Sequence, residues 1–167
     1  MLSRNQILER LLVRPPEGGC AHRDHCDRSP HHPSIRHVTS WPANSRSQNP
    51  AVALPGAISL LAFVAPETDR PAGFAIARRA ADEAEVISIG TVPACRRRGI
   101  ARRLVGRLAD TLIAAGVRSL FIEVAAGNDA ARALYEAAGF TAAGLRPGYY
   151  ARRGGEAEDA IVMRLAL

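Results

Sequence analysis

From residue 57 onward the chain alternates between two spacings of apolar residues. A continuous apolar run, AISLLAFVA at 57–65, has the length of a buried strand. A turn is expected at Asp69-Arg70 before Pro71. A second strand, AGFAIARR at 72–79, follows it, and then a third, EVISIGTV at 85–92, rich in β-branched residues and stopped by Pro93. That order predicts an antiparallel meander. Beyond Gly99 the period changes: Ile100, Leu104, Leu108 and Leu112 recur at four-residue steps with Val105 beside them. Arg102, Arg103, Arg107 and Asp110 fall on the other side, which predicts an amphipathic helix ended at Gly116. VRSLFIEV at 117–124 is the next strand, Asn128 or Asp129 opens a second helix closing at Gly139, and the stretches from Phe140 and at 160–167 supply two more strands. The sequence of elements implies an α/β fold: a mixed, mostly antiparallel sheet with helices on both faces.

Residues 1–50 carry no such period. They are rich in His, Arg, Pro, Ser and Asn, and only NQILERLLV at 5–13 suggests a short helix, ended by Pro15 and Pro16. The expected division is therefore a poorly structured or divergent amino-terminal segment, 1–50, and one folded domain, 51–167. Cys20, His22, His25 and Cys26 lie close together, but their spacing matches no paired-ligand pattern, and no metal site is expected.

Composition narrows the class. A chain of 167 residues can bury about 70% of its unfolded surface in one domain. It contains no apolar run of the roughly 18–20 residues that span a bilayer, and Glu9, Arg10 and Arg14 interrupt any secretory apolar segment. A cytoplasmic protein away from membranes is expected, with Cys20, Cys26 and Cys95 as reduced thiols. All 22 basic residues are arginine, so a lysine phosphate loop and a Schiff-base mechanism are excluded. The net charge of +6 attracts polyanions, whether nucleic acid, ribosome or a phosphorylated cofactor, without choosing among them.

The arginines concentrate in RRRGIARR at 96–103, between the third strand and the first long helix. Helix amino termini carry unpaired N–H groups and a partial positive charge, and a glycine there lets an anion approach the backbone. The arrangement suits a pyrophosphate. Neither a dinucleotide glycine motif nor a GK[ST] loop is present. The pattern that fits is R/Q-x-x-G-x-G/A, here Arg96 to Ala101. It resembles the acetyl-coenzyme A loop of the GCN5-related N-acetyltransferase (GNAT) superfamily. FIEVAAGNDAARALYEAAGF at 121–140 is similar to the second half of that superfamily. GYYARRGGEAEDAIVM at 148–163 is similar to the carboxyl end of its ribosomal-protein-alanine N-acetyltransferase branch.

The resemblance implies acetyl-coenzyme A as cosubstrate and no metal. By the same resemblance the backbone of Ile89, Gly90 and Thr91 holds the pantetheine, and Arg97, Arg98, Gly99, Ile100, Ala101 and Arg102 cradle the pyrophosphate. Asn128 reaches the cofactor. Glu123 accepts the proton of the attacking amine, Tyr135 protonates the leaving thiolate, and Tyr149 and Tyr150 grip the acceptor. Ordinary roles compete with these: Glu123 as a solvated strand carboxylate, Tyr135, Tyr149 and Tyr150 as packing aromatics, and Asn128 as a helix cap. Cys95, beside the loop, is not needed by direct transfer.

An α-amino group, with a pKa near 7.7–8.0 against about 10.4 for lysine, is easier to deprotonate at neutral pH by roughly 3 kcal/mol. The acceptor implied is a protein amino terminus, that of a ribosomal protein by the resemblance, with no direct nucleic-acid contact required. Two alternatives keep the fold: a lysine or small-molecule amine as acceptor, and a basic ribosome- or nucleic-acid-binding module without turnover.

Overall fold

The structure, a computed structural model, describes residues 34–37, 54–64, 67–151 and 157–167. Among the described residues seven strands form one sheet: β1 (Ser34–His37), β2 (Ala57–Val64), β3 (Glu67–Ala80), β4 (Glu83–Thr91), β5 (Ser119–Ala125), β6 (Thr141–Tyr150) and β7 (Glu158–Ala166), in the order β1-β2-β3-β4-β5-β7-β6. A 3-10 turn, Pro93–Cys95, and helix α1 (Ile100–Ala114) connect β4 to β5, and helix α2 (Asp129–Ala137) connects β5 to β6. Strands β1 to β4 form an antiparallel meander, and β5, β7 and β6 pair antiparallel as well. The single parallel junction is β4 with β5, where a crossover through α1 supplies the length that parallel pairing requires.

Two features depart from the expected elements. Strand β3 starts at Glu67 and runs through Asp69, Arg70 and Pro71, where a turn was expected. Pro71 opposes Phe63, and the register slips on either side of Phe63. A bulge is where a strand tolerates a residue with no N–H to donate. In addition, β1 lies within the stretch set apart as residues 1–50 and pairs with β2. Its four residues, Ser-Ile-Arg-His, hold one apolar side chain, too little for a period to show. The Cys20–Cys26 group and the 5–13 helix lie outside the described residues.

Both helices bury their apolar stripes in one cluster. From α1 come Ile100, Leu104, Val105, Leu108 and Leu112, and from α2 Tyr135, packed on Leu60, Ala62, Ala75, Ala77, Leu120, Ile122 and Val124 of the sheet. Fully burying a leucine contributes about 1.5–3 kcal/mol, so Leu104, Leu108 and Leu112 anchor α1 firmly. The opposite face of the central strands is covered too, since Leu61, Phe63 and Ile76 are buried there.

Each helix ends in the same left-handed glycine cap. After α1, Gly116 (φ 78°) donates to the Ile113 carbonyl and Val117 to that of Leu112. After α2, Gly139 (φ 94°) donates to Glu136 and Phe140 to Tyr135. This paired pattern satisfies carbonyls that would otherwise be stranded at the helix ends. No described helix is long and apolar enough to cross a membrane.

Candidate active site

The sheet opens along its parallel junction. Strands β4 and β5 pair through three rungs, Glu83 with Ser119, Ala84 with Leu120 and Glu85 with Phe121. Beyond these, β4 continues to Thr91 and β5 to Ala125 without further described pairing between them. On its other edge β4 stays laddered to β3 as far as Thr91. The residues expected to hold a pantetheine chain, Ile89, Gly90 and Thr91, are the last three of β4, on the open side. An extended ligand carrying amides could enter there as an added strand. Gly90 also has a packing reason that the sequence did not disclose. A Cβ on it would lie 2.8 Å from Cε1 of Phe74, the residue opposite it on β3.

The chain then turns directly into the anion loop. Gly99 is the N-cap of α1 with φ 73°, and a Cβ at that position would meet nothing within 4 Å, so the space before the helix amides is open. No side chain caps the helix and no acidic residue lies in its first turn. Unpaired N–H groups therefore face that space beside Arg97 and Arg98. Arg97 itself has φ 61°. A non-glycine residue held in that region carries backbone strain of about 1–3 kcal/mol, of the kind that collects at binding loops. Ile100 is buried in the core and ties the loop to the sheet, Ala101 is half-buried, and Arg97 and Arg102 are exposed.

Of the candidate side chains, Glu123, Tyr149 and Tyr150 come together on the β5 side of the opening, whereas Tyr135 lies with the core cluster on the other face of β5. Ile122 and Val124 face the core, so alternation turns Glu123 to the other face, where its side chain is 11% exposed. Its Oε1 lies 2.7 Å from Nη1 of Arg146 on β6, a contact the sequence did not signal because it depends on the register of three strands. Between Arg146 and Tyr150 the β6 strand carries two more residues than β7 opposite it, with Gly148 at φ 62°. This irregularity brings the tyrosines back over β5. Tyr150 Oη donates to the Glu123 carbonyl at 3.2 Å. Tyr149 packs edge-on against Tyr150, and the Arg146 guanidinium lies 5.5 Å from the Tyr149 ring centroid.

Tyr135 is placed by the cap of α2: its carbonyl accepts from Phe140 and the two rings lie 5.7 Å apart. Burial pushes its phenol well above the usual tyrosine range, and the neighbouring Tyr150 adds to the effect. Tyr135 thus stays protonated at neutral pH. Asn128 accepts from the Ala131 amide through Oδ1 at 3.1 Å, so it is the helix cap. Cys95 is half-buried and packs against the core. Among the described residues no cluster of His, Cys, Asp or Glu could hold a metal ion.

A sequence profile of the acetyltransferase (GNAT) family matches residues 30–140. The chain belongs to that family. It is 46% identical over 99 residues to the [ribosomal protein bS18]-alanine N-acetyltransferase of Salmonella typhimurium, a match spanning 59% of this chain and 66% of that protein. Against the enzyme of the same name from Escherichia coli K12 it is 41% identical over 107 residues, or 64% of this chain and 72% of the relative. Among solved structures, that of the ribosomal-protein-S18-alanine N-acetyltransferase from Escherichia coli superposes with a TM-score of 0.61 at 38% identity, covering 66% of this chain and 69% of the other. The α/β fold with its mostly antiparallel sheet is that of the family.

Proposed function

We propose that this protein transfers the acetyl group of acetyl-coenzyme A to the α-amino group of a protein amino terminus, with an amino-terminal alanine of a ribosomal protein as the acceptor class. The opened β4/β5 junction, leading into the uncapped amino end of α1, is the observation that carries the reading. The named activity of relatives 41–46% identical to the chain supports the choice of acceptor. Residues 51–167 form the transferase domain in this reading, with β1 contributed from the segment before it.

Acetyl-coenzyme A supplies an activated acyl thioester. Helix amides at 100–102, with Arg97, Arg98 and Arg102, bind phosphate oxygens, and the free edge of Ile89, Gly90 and Thr91 offers backbone hydrogen bonds to the chain that leads to the sulfur. Asn128 reaches the same ligand with its amide nitrogen.

Glu123 takes the proton from the acceptor ammonium, directly or through one water, and leaves a neutral amine to attack the thioester carbonyl; the C–S bond breaks as the amide forms, and the second proton shed by nitrogen converts the departing thiolate to the free thiol. Tyr135 donates a hydrogen bond to the sulfur. Its burial makes it a weaker acid than a thiol of pKa about 8.5, so this bond strengthens as charge develops on sulfur, and it does not drive proton transfer ahead of bond breaking. Tyr149 and Tyr150 form the wall against which the first acceptor residues lie.

The test is intact-mass detection of a single added acetyl group on peptides differing only in the first residue, with lysine-only and polyamine acceptors in parallel. Acetylation confined to free α-amino groups, strongest with alanine first, is expected. Modification of lysine or polyamine alone would overturn the acceptor assignment, and no modification of any amine would overturn the enzymatic reading.

A further inference from the structure

Glu123 is not idle in the structure: a cation already sits on it. We propose that Arg146 is a positioning residue that keeps the place of the acceptor. Its guanidinium holds the Glu123 carboxylate while no acceptor is bound, and yields that position to the incoming α-ammonium. The inference rests on the reading of Glu123 as the group that receives the acceptor.

Three observations carry it. The first is asymmetric burial: the carboxylate is 11% exposed and the guanidinium that pairs with it is 55% exposed. A carboxylate set that deep needs a charged or hydrogen-bonding partner. The arginine, reaching in from solvent, is the half of the pair that can leave. The second is chemical. A guanidinium does not lose its proton, so it satisfies Glu123 without itself becoming a nucleophile. While it remains, the guanidinium occupies the carboxylate oxygen that an acceptor ammonium would approach, 2.7 Å away. An acceptor that pairs with that oxygen therefore has Arg146 displaced.

The third observation is a second contact made by the same group. While it pairs with Glu123, the Arg146 guanidinium carbon lies 5.5 Å from the centre of the Tyr149 ring, within cation–π range, so a partner stays within reach when the carboxylate is given up. The strand loses regular pairing directly after Arg146, so little ladder resists its movement. Two described groups on this face make contacts of their own: Tyr150 donates to the Glu123 carbonyl, and Arg164 donates to Ser119 Oγ. An acceptor ammonium would bring one positive charge as Arg146 withdraws one, so the buried carboxylate is never left without a counter-charge.

The experiment is steady-state kinetics of the full-length protein with an amino-terminal peptide, comparing wild type, Arg146→Gln and Arg146→Lys. Titration with acetyl-coenzyme A confirms that each variant retains its fold. Removing the competing cation is expected to lower the peptide KM by about two- to tenfold in Arg146→Gln, by a larger factor than any change in kcat. Arg146→Lys keeps the charge and is expected to return KM towards the wild-type value. An unchanged or raised KM in Arg146→Gln overturns the inference, as does a lysine variant indistinguishable from the glutamine one. Absence of turnover in the wild type with every peptide would instead strike at the proposed function, so the two failures are separable.

Discussion

At the scale of single residues, the site sets a carboxylate and a phenol in contrasting surroundings. Glu123, nearly buried, faces an arginine on the side of β5 away from the core cluster, whereas Tyr135 is sunk among apolar side chains. Replacing Glu123 by glutamine preserves shape and removes the proposed proton acceptor. The expected loss in kcat is about 10²- to 10⁴-fold, larger at pH 7 than at pH 9, where the α-amine is already neutral. A rate unchanged at both pH values would remove Glu123 as the base.

Tyr135→Phe tests the partner role in two ways. Activity is expected to fall by about 10²-fold while the fold persists, because phenylalanine occupies nearly the same volume. Stability carries a separate sign. The folded protein holds the phenolic proton more tightly than the unfolded chain does. Above pH about 10 the unfolded chain sheds that proton first, and stability falls as pH rises further. Thermal midpoints measured between about pH 8 and 11 are therefore expected to drop more steeply in the wild type than in Tyr135→Phe. Parallel slopes would contradict the buried, protonated phenol.

At the scale of elements, Asn128 is a helix cap for which a ligand contact is also proposed. Its Oδ1 holds the Ala131 amide at the start of α2, and its Nδ2 is the group proposed to meet the cofactor. Asn128→Ser keeps a capping oxygen and loses the amide, whereas Asn128→Ala loses both. Calorimetry should place Asn128→Ser within a few tenths of a kcal/mol of wild type in stability and Asn128→Ala about 1 kcal/mol below it. Both variants should bind acetyl-coenzyme A more weakly. Undiminished affinity in Asn128→Ser would reduce Asn128 to a cap.

The same distinction shows what could be read from the chain. Helix α1 was legible from its four-residue apolar steps and α2 from its opening Asn-Asp and closing glycine, which are local signals, and so were β2 and β4. Strand β1 was not, since one isoleucine in four residues makes no period. The start of β3 was hidden because Asp-Arg-Pro reads as a turn unless the bulge opposite Phe63 is known. Glu123 and Tyr135 were named through resemblance to a family. The Arg146 contact, the Phe74 ring that requires Gly90, and the irregularity that returns Tyr149 and Tyr150 to β5 all depend on cross-strand register, which no local pattern encodes.

At the scale of the whole molecule, the fold assigns rigidity and openness to different regions. Strands β2 and β3 are paired along both edges for much of their length, and α1 is anchored by three fully buried leucines. The last residues of β4 have a partner strand on one edge, and the first amides of α1 lack helical acceptors by the geometry of any helix start. Amides in such places exchange with solvent faster than those of a closed ladder. A ligand lying along β4 and ending at the helix start would satisfy both groups together. Hydrogen exchange followed residue by residue is therefore expected to slow on addition of acetyl-coenzyme A at Ile100, Ala101 and Arg102 and on the open side of 86–91. The amides joining β2 to β3 should not change. Protection of the helix start alone would indicate a bound anion without the thioester arm. Protection confined to the far end of the sheet, near Ala57 and Ala115, would place the ligand elsewhere and detach the opened junction from the chemistry.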